Sequence, residues 1–192
     1  MEENINNNAT AAGENVVSEM PRLTFGEAVK TCLKKYADFT GRARRSEYWF
    51  FYLFYFLVVV VASFVFEILG LLGMPKIIGT VGNLVVTLGF ILPQYAVEFR
   101  RLHDTGRSGW WIGGYLLFGL VVAAQVVFMA LDYVQYGGMG MMYEFVTENV
   151  GAFVGLLLMG GIAVVWNIAL IVFCVLDSKP EANKYGASPK YK

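Results

Sequence analysis

The stretch that decides the fold runs from Gly41 to Leu72: GRARRSEYW (41–49), then FFYLFYFLVVVVASFVFEILGLL (50–72). The second part carries no charge before Glu67 and is long enough to cross about 30 Å of hydrocarbon as a helix. The first part sets three arginines immediately before it, with Tyr48 and Trp49 where interfacial aromatics belong. A basic anchor, an aromatic belt and an apolar span follow one another without a break. This is the grammar of a transmembrane helix.

Outward from there, the pattern repeats. Gly73-Met74-Pro75-Lys76 breaks the chain before a second apolar stretch, 77–97, which contains Asn83 and Thr87. EFRRLHDTGRSGWW (98–111) reads as a polar connection. Its Ser108 is placed to cap a third span, 109–131, with Trp110 and Trp111 as interfacial anchors and Gln125 inside. A Gly- and Met-rich loop over 132–149 leads to a fourth span, 150–176, containing Asn167. Composition agrees: of 192 residues 57% are hydrophobic and 16% charged, against roughly 45–50% and about 25% in soluble domains. The first spans fall at 49–72, 77–97 and 109–131, so the expected membrane domain covers 23–189, with 177–192 as a polar tail.

Before the first span, Thr24 and Glu27 stand at capping-box spacing. Phe25, Ala28, Val29, Cys32, Leu33 and Tyr36 then fall on one helical face, and Lys30, Lys34 and Lys35 lie off it. Such a helix suits either the plane of an anionic membrane surface or packing on the protein's own spans. The first twenty-two residues are acidic and Asn-rich. They read as a disordered tail, with neither the basic start nor the apolar stretch of a signal peptide. The fold expected is all-helical: an amphipathic interfacial helix followed by a bundle of four antiparallel membrane spans.

Lys and Arg set the orientation. Fourteen of the fifteen lie before the first span, between the second and third, or in the tail; Lys76 alone is on the other side. Both termini are therefore expected in the cytoplasm. The net charge is zero and hides this asymmetry. Overall charge does not speak to nucleic acid, which is not among the expected partners.

The densest polar chemistry lies in 41–49 and 98–111, which the topology brings to one membrane surface. Arg42, Arg44, Arg45, Arg100, Arg101 and Arg107 meet Glu47, Glu98, His103 and Asp104 there. All six cations are arginine, and guanidinium makes planar bidentate bonds to carboxylate or phosphate that ammonium does not. Some arginines are expected to pair with Glu47, Glu98 and Asp104 and lock helix ends together. The surplus of six over three is suited to lipid phosphate or another anion.

An enzymatic use would rest on His103 beside Asp104. Adjacent residues need not point the same way, and no nucleophile or metal-ligand spacing accompanies them. No catalytic residue, metal or cofactor is expected. Asn83, Gln125 and Asn167 are single amides on separate spans, where interhelical hydrogen bonds are their ordinary use. Lining a path through a small oligomeric transporter or channel is the alternative. Cys32 and Cys174 are too few for a disulfide scaffold or zinc site.

The order Cys32-Leu33-x-x-Tyr36-x-Asp38-Phe39-x-Gly41-Arg42-Ala43-Arg44-Arg45-Ser46-Glu47-Tyr48-Trp49, then Phe99-Arg100-Arg101-Leu102-His103-Asp104-Thr105-Gly106-Arg107-Ser108-Gly109-Trp110-Trp111, then Asn183-Lys184-Tyr185-Gly186-x-x-Pro189, resembles the family called domain of unknown function 805. The resemblance covers 23–189 and departs from the family pattern in the acidic start and the larger outer loop. It implies a bacterial inner-membrane location and carries over no reaction. It also implies that the two arginine segments and the Asn-x-Tyr-Gly-x-x-Pro tail form one site. The function expected is non-enzymatic: a membrane protein whose arginine face binds anionic lipid or a partner protein, with homo-oligomerisation open.

Overall fold

The computed structural model describes residues 18–135 and 142–191. Six helices follow in order: α1 (Phe25–Lys34), α2 (Arg45–Leu71), α3 (Lys76–Asp104), α4 (Trp110–Gln135), the short α5 (Met142–Glu148) and α6 (Val150–Val175). Among the described residues there is no strand, only two isolated bridges. The long helices α2, α3, α4 and α6 are each long and apolar enough to cross a membrane.

Exposure along these four helices is the reverse of a soluble protein's. Phe64, Leu120 and Leu157 are 66%, 67% and 76% exposed, whereas Arg100, Arg101 and Asp104 are wholly buried. Leaving a large apolar side chain in water forgoes about 2 kcal/mol, and these helices present dozens outward. Hydrocarbon is the solvent that fits such a surface.

Local signals explain where the helices begin and end. The Thr24–Glu27 capping box forms as expected, with the Thr24 amide 2.8 Å from a Glu27 carboxylate oxygen. α1 packs on α2 and α3 and buries Ala28 and Cys32, while Phe25, Leu33 and Tyr36 stay about 40% exposed. Packing on the protein's own spans, one of the two uses foreseen for this helix, is the one observed. α2 begins at Arg45, a turn before its apolar run, with Glu47 in the first turn where the helix dipole favours a carboxylate.

The largest difference from the sequence reading lies in 98–104. This half of the supposed polar connection is the last two turns of α3. The helix stops where Gly106 takes φ +79°, with Gly106 N–H donating to the His103 carbonyl and Arg107 N–H to that of Leu102. That is a Schellman closure, and it needs the left-handed region that glycine enters freely. Ser108 Oγ then accepts the Trp110 amide at 3.3 Å as α4 begins.

Antiparallel register follows from contacts along the bundle. Glu47 meets Arg100, Phe54 meets Phe90, and Ser63 Oγ donates to Asn83 Oδ1 at 3.2 Å. α4 and α6 pair through Trp166 Nε1 to the Trp111 carbonyl at one end and Gln125 to Ala152 at the other. The outer loop expected over 132–149 is shortened from both sides by α4 and α5; residues 136–141 lie outside the described part. So do 1–17 of the supposed tail. Residues 19–21 of that tail join the fold: Met20 N–H donates to the Lys190 carbonyl at 2.8 Å.

The tightly packed core sits at one end of the bundle. Cys32, Ala43, Tyr48, Phe51, Val97 and Cys174 form one buried cluster, and Leu102, Ile112 and Leu170 another. The arginine segments close over them.

Candidate functional site

The arginine end is built from three chain segments: the turn entering α2, the last two turns of α3, and the tail leaving α6. Gly41 starts the turn at φ +75°, so its carbonyl meets His103 Nδ1 at 3.1 Å.

Asp104 is the centre. It is fully buried, with Oδ1 accepting from Arg42 Nε at 2.9 Å. Its Oδ2 accepts from Arg101 Nη1 and the Ser178 hydroxyl. Arg42 spends its remaining donors on the carbonyls of Asp104, Lys179, Glu181 and Gly186. Arg101 reaches the carbonyls of Ala43, Cys174 and Leu176. Two guanidinium groups thus bind α2, α3, α6 and the tail around one carboxylate. Arg42 spends all five of its N–H donors there and Arg101 four of its five, and both side chains are sealed from solvent.

Arg100 is also fully buried. Its Nη1 lies 2.9 Å from Glu47 Oε1, yet neither Nη1 nor Nη2 makes an aligned hydrogen bond. This is an ion pair held by charge and burial. Glu98, expected to join such pairs, does not: the Glu47 and Asp104 carboxylates are taken by arginine, and Glu98 is turned instead toward a cavity between the spans. That cavity of about 310 Å³ is lined by Glu98, Asn167 and several tyrosines.

His103 lies flat against Tyr185, ring centroids 3.7 Å apart at 6°, while Asn183 Nδ2 donates to the His103 carbonyl at 2.9 Å. The Asn183–Gly186 turn is therefore docked on the end of α3. Arg107 belongs to neither group; its guanidinium sits 4.0 Å over the Phe173 ring. Trp110 is 75% exposed and Trp111 43%, as suits interfacial anchors. Tyr48 is a correction: only 5% exposed, it lies in the core. With α2 starting at Arg45, Tyr48 and Phe51 share the helix's inward face.

Outside the buried network a second feature opens. A groove of about 420 Å³ is lined by Arg22, Arg44, Arg45 and Lys190, with Ser46 and Ser178 between them and Trp49 and Phe50 as its apolar wall. It faces the start of α2, whose first-turn amides have no side-chain cap. Ser46 Oγ is buried without a partner. Arg44 is anchored by the Met20 and Pro21 carbonyls. Arg45 pairs with Asp177 at 3.0 Å, both side chains nearly half exposed. Lys190 pairs with Asp177 and Glu19. The half-exposed Arg45–Asp177 pair is of a kind worth about 0–1 kcal/mol. The sequence reading named Arg44 and Arg45 but missed Arg22, Ser46 and Lys190, which only the docked tail brings together.

Asn83 and Gln125 are occupied by the interhelical bonds already described. Among the described residues, no three of His, Cys, Asp and Glu gather as metal ligands.

The family profile described as "Protein of unknown function (DUF805)" matches residues 36–187. Inner membrane protein YhaH of Escherichia coli (strain K12) is 48% identical over 82 residues, covering 41% of this chain and 64% of that protein. Inner membrane protein YhaI of the same strain is 43% identical over 79 residues, covering 41% and 62%. The chain spans a little under two thirds of each relative's length. No solved structure matches it. With four membrane-capable helices and a family match over most of its length, the chain is an integral inner-membrane protein belonging to the DUF805 family.

Proposed function

We propose that the protein is a non-enzymatic membrane protein that holds the phosphate of an anionic lipid in the basic groove at the start of α2, on the cytoplasmic side. The observation carrying this reading is the groove itself. Four cations face two carboxylates there, beside uncapped helix amides and an unpartnered serine hydroxyl. Trp49 and Phe50 give the wall an apolar lower half that suits the start of an acyl chain. Phosphate is favoured by helix amides and arginine together. The cytoplasmic placement rests on the distribution of Lys and Arg, and that leaflet carries the anionic surface to which basic residues are drawn.

The division of labour among the arginines supports the same reading. Arg42, Arg100 and Arg101 are sealed from solvent and hold helices together; Arg22 and Arg45 are exposed. A lipid-phosphate enzyme would ask His103 to move a proton, but its Nδ1 is engaged by Gly41 and its ring is stacked on Tyr185. A transport path along Asn83 and Gln125 would have to break two interhelical bonds.

Native mass spectrometry of the gently extracted chain tests the proposal. Wild type should retain an anionic phospholipid that an Arg22→Gln, Arg45→Gln, Lys190→Gln variant has lost. Equal retention by both would overturn it, and a bound protein in place of lipid would make the groove a partner surface.

A further inference from the structure

The cavity between α2, α3, α4 and α6 is chemically unlike the groove. Glu98 enters it from α3, six residues or about 9 Å along the axis from Asp104. No hydrogen bond or ion pair engages its carboxylate among the described residues. One turn earlier, Gln94 is 8% exposed and lines the same space, with its Oε1 buried and unpartnered. Two residues with oxygen acceptors, one turn apart on α3, therefore border a cavity that offers them no donor cation. Among the described residues no Lys, Arg or His lines it.

Ile91, Ile112, Leu170 and Ile171 and the Asn167 amide make part of the remaining wall, and the rest is aromatic. Tyr52 and Tyr55 come from α2, Tyr95 from α3 and Tyr115 from α4. Aromatic faces carry the negative part of the ring quadrupole and attract a cation by ~0.5–2 kcal/mol each, more where water is excluded. A carboxylate, a bare amide oxygen and several phenol rings are together suited to a small positive group with N–H donors. An anion would be repelled by Glu98 and could be met only by the neutral donors of Asn167 and the tyrosine hydroxyls, with no cation to balance it. A neutral apolar guest would leave Glu98 and Gln94 unsatisfied at a cost of about 1–3 kcal/mol for each group. The volume of about 310 Å³ is at the lower end for small-molecule sites, which excludes large occupants and fits a short amine or the end of a headgroup.

We propose that this cavity is a binding site for an ammonium group, with Glu98 as counter-ion, Gln94 Oε1 as second acceptor and the tyrosine rings as walls. The site is separate from the phosphate groove and does not rest on it. An ammonium of this kind is carried either by a free amine or by an amine-bearing lipid headgroup, and the cavity recognises the chemistry common to both.

The test is calorimetric titration of the full chain with ethylammonium chloride, in nanodiscs of phosphatidylglycerol, which contain no amine. Sodium chloride at equal ionic strength and n-propanol are the controls. Wild type should bind ethylammonium saturably and n-propanol not at all. Glu98→Gln should weaken binding about tenfold, the scale of one charged hydrogen bond. Tyr55→Leu, remote from the arginine end, should weaken it about threefold and carries the test if Glu98→Gln misfolds. Absence of saturable binding to wild type, or binding unmoved by both variants, or n-propanol binding equally well, would each overturn the proposal. Repeating the titration in nanodiscs containing phosphatidylethanolamine then names the source. Competition there supports a headgroup ammonium and undiminished binding supports a free amine.

Discussion

Arg42 Nε donates to Asp104 Oδ1 at 2.9 Å across 62 residues of sequence, and both side chains are all but sealed from solvent. The pair is not a surface ornament. With Arg101 on its other oxygen, Asp104 balances part of the charge on two buried guanidinium groups that otherwise face only carbonyls. Desolvating such charges is costly, so the arrangement is justified by what it joins: the turn before α2, the end of α3 and the tail after α6.

Asp104→Asn keeps the shape and removes the charge. Breaking a buried pair on one side costs about 3–5 kcal/mol, so this variant should accumulate poorly or unfold at markedly lower denaturant. Chemical denaturation in a mild detergent measures it. A loss below about 1 kcal/mol would show that the carbonyls alone hold the arginines.

The end of the tail should loosen in acid. Asp177 is pushed up by partial burial, but hydrogen bonds from the Lys190 ammonium and the Ser178 amide, with the Arg45 charge, hold it below its ordinary 3.8. Its contribution is complete above that ordinary value and is lost as pH falls through the lowered one. Lys190 is raised above its ordinary 10.5 by hydrogen bonds to Tyr191 and Asp177, so its contribution is complete below 10.5 and fades as pH rises through the raised value. Hydrogen exchange at 178–191, taken relative to the free-peptide rate at each pH, should therefore be slow from about pH 4 to 10 and quicken below it. Tyr185→Ala, which removes the stack on His103 worth about 1 kcal/mol, should quicken it at neutral pH.

Cys32 should be inert in the folded chain. Burial, aided by the Glu47 charge, pushes its thiol up to about 12, and it is wholly inaccessible. Thiolate is the reactive form. A maleimide reagent at pH 7 should label Cys32 only at the rate of opening, and rapid labelling would mean that α1 detaches from α2.

The membrane architecture was legible because apolar runs, flanking aromatics and the charge asymmetry each point the same way. The capping box at Thr24 and Glu27 was equally plain. The end of α3 was not, because EFRRLHD looks polar when read as a line. Phe99 and Leu102, three apart, and Gly106 two residues after Asp104 were the available signs of a helix that runs on and closes on glycine. The sorting of the arginines was hidden for another reason. Arg42 and Arg45 are alike in sequence, and only the tail carbonyls of Lys179, Glu181 and Gly186 make one a buried tie. The solitude of Glu98 depends on the rotation of α3, which no local pattern fixes.

On the function proposed, the arginine end holds two separable devices, a sealed structural network and an open phosphate groove. Thermal unfolding in detergent, with and without added phosphatidylglycerol, tests it on wild type and on the Arg22→Gln, Arg45→Gln, Lys190→Gln variant. A ligand at a hundredfold excess over its Kd stabilises by about 2.7 kcal/mol, on the order of 5 °C or more in Tm for a chain of this size. The variant should melt near the wild-type Tm without lipid and lose the lipid-induced rise. A variant that melts much lower without lipid yet gains the full rise would contradict it.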